Sequence, residues 1–393
     1  MSVPLGHPVR AVDWERAREI SHVAAGALGA EAVSLAAANG RVTAQPISAA
    51  QDIPHYASSA MDGWVVAGAH PWQLAAETGA MLPRTARPIV TGGLIPERAD
   101  AVLRSEHGRL VGELLEPERG HHAPSRGTDI RPAGEEARAG DVVIAGGTVL
   151  NPAHLAVAAA CARDLLIVTE QPRVELLLSG DEVDDAGVPV PGRVRDSFGP
   201  ALPALLGQLG GRVVASTRLP DRLDVTIRAL QERTDCELVI TTGGTGSSSS
   251  DHLRAALRQL DAEILVPGLA SRPGGPALLA RLPDGRLLAG LPGNPLAALV
   301  GLLVLAAPAL AGWSGRGLPE LTDVVAARAI PGHVGGTTLM PYAKVHGGVV
   351  PSRWVGSGMM RGLADSAGIV AVSPHGLEAG AHSVALRLPW MTS

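Results

Sequence analysis

The sequence predicts an α/β multidomain protein whose centre is a doubly wound, mostly parallel sheet. Three observations predict it. From Arg173 onward, short apolar runs alternate with helical patterns, the signature of strands joined by crossover helices and covered on both faces. Three of those runs are followed at once by loops rich in Gly, Ser, Asp or Asn, where ligands bind in open α/β sheets. With 393 residues the chain is too long for one ordinary core, and two to four domains are expected.

Each element follows in order. Val12 to Gly26 is helical. Ala50 to Gly68 holds loop and turn signals at Pro54 and Gly63, then a short apolar strand. Arg87 to Arg104 is strand, turn, strand around Thr91-Gly92-Gly93. Gly120 to Glu136 is polar and exposed, with His121-His122 solvated rather than ligating. Asp141 to Gly147 is a strand entering a turn. Asn151 caps a helix that Pro152 opens and that runs to about Ala162. Val174–Leu178 is a strand, Pro200–Leu209 a helix, Val213–Ser216 a strand, Asp221–Glu232 a helix and Leu238–Thr242 a strand. Leu253, Ala256, Leu257 and Leu260 recur at i, i+3, i+4 and i+7, one face of a helix. Arg286–Ala289 is a strand, and an apolar helix follows Pro295. Leu296 to Trp313 carries no charge over 18 residues, yet contains Gly301, Pro308 and Gly312; a buried core helix is expected rather than a membrane span. From about Pro319, short glycine-rich strands predict a separate β-rich domain.

Composition narrows the function. Apolar residues make up 46% and charged residues 18%, as in a folded globular chain. The net charge of -5 makes nucleic acid a poor partner. Aromatics are only 2%, so the cores must be aliphatic, and Lys344 is the only lysine. Cys161 and Cys236 lie far apart, which suits a reducing compartment. Asp13, Glu15 and Glu19 near the start, with no apolar run, point to a cytoplasmic location.

The chemistry falls on the three loops. Ser179-Gly180-Asp181-Glu182 places two carboxylates in a turn, able to hold Mg²⁺ or simply to be solvated. Gly243-Gly244-Thr245-Gly246-Ser247 continues through three more serines to Asp251, ahead of a helix whose positive end suits an anion; Asp251 as a plain N-cap is the structural alternative. Pro292-Gly293-Asn294-Pro295 places Asn294 to N-cap the apolar helix and leaves helix N–H groups aimed at the site. A Walker A motif, a third Rossmann glycine, HExxH, a complete GxSxG and zinc-ligand spacings are absent from the sequence.

These segments join others in a fixed order: Asp52-Ile53-Pro54, Ser59 to Gly63, Thr91-Gly92-Gly93 with Pro96 and Ala99 to Val102, Ile130-Arg131 with Gly134-Glu135, Thr241-Thr242 and Gly356-Ser357-Gly358. Together they resemble the molybdopterin molybdenumtransferase family, which includes the C-terminal domain of gephyrin. The resemblance spans nearly the whole chain.

The resemblance implies an elongated homodimer with two smaller β-containing domains and a linking domain around the sheet. Residues 1–50 with 138–172 would link, 51–137 would carry Asp62, 173–318 would bind molybdopterin, and 319–393 would be barrel-like. The implied reaction is Mg²⁺-assisted insertion of molybdate into adenylylated molybdopterin with release of AMP. Asp62, Glu182 and Asp251 would hold the metal and, with Arg272, act in catalysis. Asp62 is equally suited to an Asx-turn before Gly63. Ser179, Gly180, Asp181, Gly243, Gly244, Thr245, Gly246, Ser247, Pro292, Gly293, Asn294 and Ser357 would bind the pterin nucleotide. The partners implied are this ligand, the second subunit of a shared active site and, transiently, other molybdenum cofactor biosynthesis proteins; no nucleic acid or membrane is expected.

The chain departs from the family pattern in several places. The usual Lys-Pro-Gly-Lys-Pro is Arg272-Pro273-Gly274-Gly275-Pro276, and Arg is not equivalent to Lys at a tight site. Phe198 follows Asp196-Ser197 where the family has Asn. In the second loop the family's serine aligns with Gly246 and its third glycine with Ser248. The usual Glu-Asp pair is Glu135-Glu136, Ala297 replaces a serine, Arg361-Gly362 replace serines, and an arginine near Pro341 is missing. Arg272 and Arg361 would then supply the oxyanion donors. The alternatives are a diverged paralogue that binds pterin or nucleotide without inserting metal, and a dimeric scaffold.

Overall fold

The computed structural model describes residues 11–76, 78–232, 235–245 and 252–391. The chain divides into two compact units, residues 32–168 and the remainder.

In the larger unit, Val174, Leu176 and Leu178 of the strand Arg173–Ser179 enter one apolar cluster, while Leu177 enters another. Successive side chains of a strand point to opposite faces, so both faces of this strand are buried. The same holds for Leu238–Thr242, where Leu238 and Ile240 face one way and Val239 the other. The sheet runs Arg212–Leu219, Arg173–Ser179, Leu238–Thr242, Leu287–Leu291, Leu278–Arg281, Glu263–Val266. Its first four strands are parallel and the last two antiparallel. The antiparallel pair was not expected: Leu278–Arg281 returns through the short Asp284-Gly285 turn, with no room for a crossover helix.

Helices cover both faces. Leu202 and Leu206 of Phe198–Gln208 and the apolar helix after Pro295 lie on one side; Leu230 of Leu223–Gln231 and Leu253, Ala256 and Leu257 of His252–Gln259 lie on the other. Trp14 and Ala17 of Trp14–Ala24 enter the first cluster, although the sequence grouped this helix with the linking domain. The expected core helix spans Pro295–Trp313, and 94% of its most apolar stretch is buried. It is not uniform. Leu302–Ala306 widens to a π-turn between two α segments. Pro308, just beyond, lacks the N–H that would bond Val304, and a local widening absorbs that defect.

The C-terminal sheet is ordered Ser271–Arg272, Thr337–Val345, Gly368–Val372, His382–Leu386, Leu321–Val325, with Gly348–Pro351 on Thr337–Val345. Arg272 thus sits in a short edge strand, opposite Thr338.

In the unit 32–168, a six-stranded sheet runs Ala101–Arg104, Gly63–Ala67, Thr85–Ile89, Trp72–Leu74, Leu114–Pro117, Gly108–Val111. Val66, Trp72, Leu103 and Leu115 fill one face. Helix Pro152–Ala160 opens with the cap expected of Asn151, whose side chain accepts from the His154 N–H while the His154 ring accepts from the Asn151 N–H. His121 is exposed, as expected, and stacks on His107 with ring centroids 4.1 Å apart.

Candidate functional site

Three loops leave the carboxyl ends of parallel strands and converge. Ser179 ends its strand with its hydroxyl donating to the Thr242 carbonyl at 2.6 Å, which ties the first loop to the second. Gly243 then turns with φ +80°, and a Cβ there would stand 2.8 Å from Ser179 Oγ. Glycine is required for both reasons. Its N–H donates to the Leu291 carbonyl at 2.9 Å, joining the third loop. A Cβ on Gly293 would lie 3.8 Å from Gly243 Cα, so the second and third loops touch backbone to backbone.

A cleft of about 250 Å³ opens at these strand ends, bordered by Ser179, Gly180, Glu182, Gly243, Gly244 and Gly293. Of the residues the resemblance assigned to the ligand, the structure brings Ser179, Gly180, Gly243, Gly244 and Gly293 together, with Glu182 of the implied metal set. Thr245 is buried just beyond Gly244, and its carbonyl accepts from Arg254 at 3.1 Å. Gly246, Ser247 and Asp251 lie outside the described residues. Asp181 is tied to Asp221: its carboxylate accepts from the Asp221 N–H while its own N–H donates to the Asp221 carboxylate, both at 3.3 Å. Glu182 remains exposed in the cleft.

The third loop corrects two expectations. Asn294 occupies the N-cap position, but its side chain makes no capping bond. Its amide oxygen instead lies towards Gly358, where a Cβ would stand 3.6 Å away. Nor are the helix N–H groups all free, because Ala297 donates to the Ser357 carbonyl at 3.2 Å. Ser357 thus reaches the third loop through its backbone.

The rest of the cleft's lining was missed. Asp196, Phe198, Arg218 and Asp221 line it, with Val183 and Val194. Asp196 Oδ1 accepts from the N–H groups of Phe198 and Gly199, at 2.9 and 3.0 Å, and Oδ2 accepts from Arg218 at 2.5 Å. Arg218 also holds Asp185 at 2.8 Å. Nearby, the Arg193 guanidinium bonded to Asp184 holds that carboxyl below its ordinary range. The one signal in the sequence was Asp196-Ser197 ahead of a helix; that Arg218 would meet it depends on how this loop folds over the end of the strand Arg212–Leu219.

Two cationic candidates have other neighbours. Arg272 contacts the His333 ring, and Arg361 lies 4.1 Å from the Trp354 ring centroid, a cation–π distance.

In the unit 32–168, Asp62 is not an Asx-turn residue. Its Oδ1 accepts from the Thr91 N–H at 2.6 Å and the Thr91 hydroxyl at 2.9 Å, bridging to the Thr91-Gly92-Gly93 turn. These bonds, the backbone one first, hold its carboxyl below the usual range. Gly63 must be glycine because a Cβ would sit 2.1 Å from the Leu103 carbonyl oxygen. Among the described residues, no group of three or more His, Cys, Asp or Glu converges as a metal site.

Known proteins share this architecture. Residues 12–162 match the family model described as the MoeA N-terminal region (domain I and II), and residues 175–312 match the one described as a probable molybdopterin binding domain. A Staphylococcus epidermidis protein named molybdopterin molybdenumtransferase is 30% identical over 293 residues, 69% of this chain and 68% of its own length. The chain belongs to the MoeA family. A Staphylococcus aureus relative of the same name is 35% identical over 224 residues, 56% of this chain, and the match spans only about half, 52%, of that relative. The crystal structure of a MoeA molybdopterin biosynthesis protein from Pyrococcus horikoshii is similar with a TM-score of 0.77 over 96% of this chain and 100% of that one; at 21% identity this establishes a MoeA-like fold.

Proposed function

We propose that the chain is a molybdopterin molybdenumtransferase, joining molybdate to adenylylated molybdopterin with Mg²⁺ and releasing AMP in molybdenum cofactor biosynthesis. The observation that carries it is the convergence of Ser179, Gly180, Glu182, Gly243, Gly244 and Gly293 on one cleft at the carboxyl ends of the sheet. Glycine-lined strand ends let phosphate oxygens approach the backbone closely.

Mg²⁺ takes one or two carboxylates and fills its octahedron with water and phosphate oxygens. Glu182, exposed in the cleft, would supply one such carboxylate; Asp251 and the Asp62 of a second copy are the proposed sources of the other. Bound there, the ion would offset charge on the anhydride oxygens. Ser179 and Gly243 hold the loops in register. Arg272 is the cation assigned to molybdate.

The same proposal includes an elongated homodimer with a shared site, a cytoplasmic location and the four-domain division given above. The diverged-paralogue alternative is favoured by two observations: Gly275 brings no charge where a lysine is expected, and Arg361 is engaged over Trp354.

Calorimetric titration with adenylylated molybdopterin and Mg²⁺, with and without molybdate, tests this while AMP is followed by chromatography. Molybdate-dependent AMP release is expected. Binding without release would establish the paralogue instead, and no binding would end both ligand-based proposals.

A further inference from the structure

We infer that Phe198 is a stacking platform, holding the planar heterocycle of a phosphate-bearing ligand in the cleft that the glycine-bearing loops also line. The inference rests on the transferase proposal and deepens it by assigning how the ring is recognised.

Phe198 is the only phenylalanine in the chain. It is half-buried: part of the side chain packs on the core that holds Leu202 and Leu206, and part borders the cleft. Gly180, Gly243, Gly244 and Gly293 also line that cleft, so much of its border is backbone without side chains. Phe198, Val183 and Val194 are an apolar patch in a lining that otherwise carries Glu182, Arg195, Asp196, Arg218 and Asp221, so a flat ring can rest on that patch while polar groups meet its edges and phosphate.

The position of Phe198 is fixed. It is the first residue of its helix, and its N–H donates to Asp196, which is anchored in turn by Arg218. The Asp196 carboxylate also takes the Gly199 N–H. That helix end therefore already carries an anionic partner and is a poor place for a phosphate. What it contributes to the cleft is aromatic surface. The resemblance places asparagine here, a group that hydrogen-bonds a ring at its edge; phenylalanine can only contact a ring's face or exclude water from it.

The ring belongs either to the adenine or to the pterin of the nucleotide, and three probes separate them: AMP, 6-hydroxymethylpterin and ribose 5-phosphate, which has no aromatic ring. Each is titrated by calorimetry into the full-length chain and its Phe198→Leu and Phe198→Tyr variants. Leucine keeps apolar packing on the core without the aromatic face, and tyrosine keeps the ring. Stacking predicts that Phe198→Leu weakens one ring-bearing probe by at least about fivefold, that ribose 5-phosphate is unaffected, and that Phe198→Tyr binds like the native chain. A loss confined to AMP places adenine on Phe198; a loss confined to hydroxymethylpterin places the pterin there. Unchanged binding of both ring-bearing probes by Phe198→Leu overturns the inference and leaves the transferase proposal standing. An equal loss for all three probes also overturns it, because a merely structural role has that result. Failure of the native chain to bind any probe removes both.

Discussion

Asp62 and Gly243 show how single positions prepare the two halves of the proposed site. The Asp62 carboxylate accepts two bonds from Thr91, the larger effect coming from the backbone N–H. A carboxyl held low in the folded state favours folding above its unfolded pKa, and this contribution is lost as pH falls through the folded value. Thr91→Ala removes only the hydroxyl. The Asp62 pKa, followed by NMR titration, should therefore rise part of the way towards an ordinary carboxyl; a full return would mean that the backbone bond does not persist. At Gly243 the constraint is steric. Gly243→Ala must accept φ +80° and a Cβ 2.8 Å from Ser179 Oγ. Urea denaturation should show a loss of about 1–2 kcal/mol from the backbone term alone, with AMP binding weakened as well. Ser179→Ala in the same chain should recover part of the stability, because the clash is gone, but not the part due to φ.

The helix Phe198–Gln208 depends on a residue outside it. Ser197 holds the cap position without a side-chain bond, and Asp196 does the capping from one residue earlier while also holding Arg218. Asp196→Ala should cost about 1–3 kcal/mol in chemical denaturation, combining a lost cap with a charge-assisted bond. Asp196→Asn keeps an acceptor for the helix and should lose less; equal losses would assign the whole effect to the charge. This arrangement also shows what the sequence could and could not convey. Alternation after Arg173 is legible because apolar runs of strand length, separated by helical patterns, leave few folds open, and the three glycine-bearing loops follow from where strands end. The antiparallel pair Leu278–Arg281 and Glu263–Val266 was not legible, since apolar periodicity carries no strand direction. Nor was the Asp196–Arg218 pair, which joins the loop before a helix to a strand 22 residues further on. The π-turn at Leu302–Ala306 came from Pro308, visible in the sequence but equally compatible with a kink.

At the scale of the whole molecule, the shared-site homodimer makes a prediction that no single chain can satisfy. Asp62→Asn and Glu182→Gln should each abolish AMP release. If each site takes Asp62 from one copy and Glu182 from the other, dissociating and remixing the two inactive proteins regenerates one intact site in every mixed dimer. Random pairing should then restore about a quarter of native activity. No recovery, with mixed dimers verified by mass spectrometry, would place both carboxylates of a site on the same subunit. A different consequence follows from the uncharged helix Pro295–Trp313. Its core cluster also contains Leu339, Leu363, Ile369 and Leu386, contributed by the last part of the chain. On the ribosome the helix emerges before these covering residues have been made. For that interval the nascent chain displays a segment with the length and apolarity of a membrane span. A chaperone that shields greasy helices, or a slow stretch of translation just after it, would decide how much of the protein escapes aggregation or mistargeting.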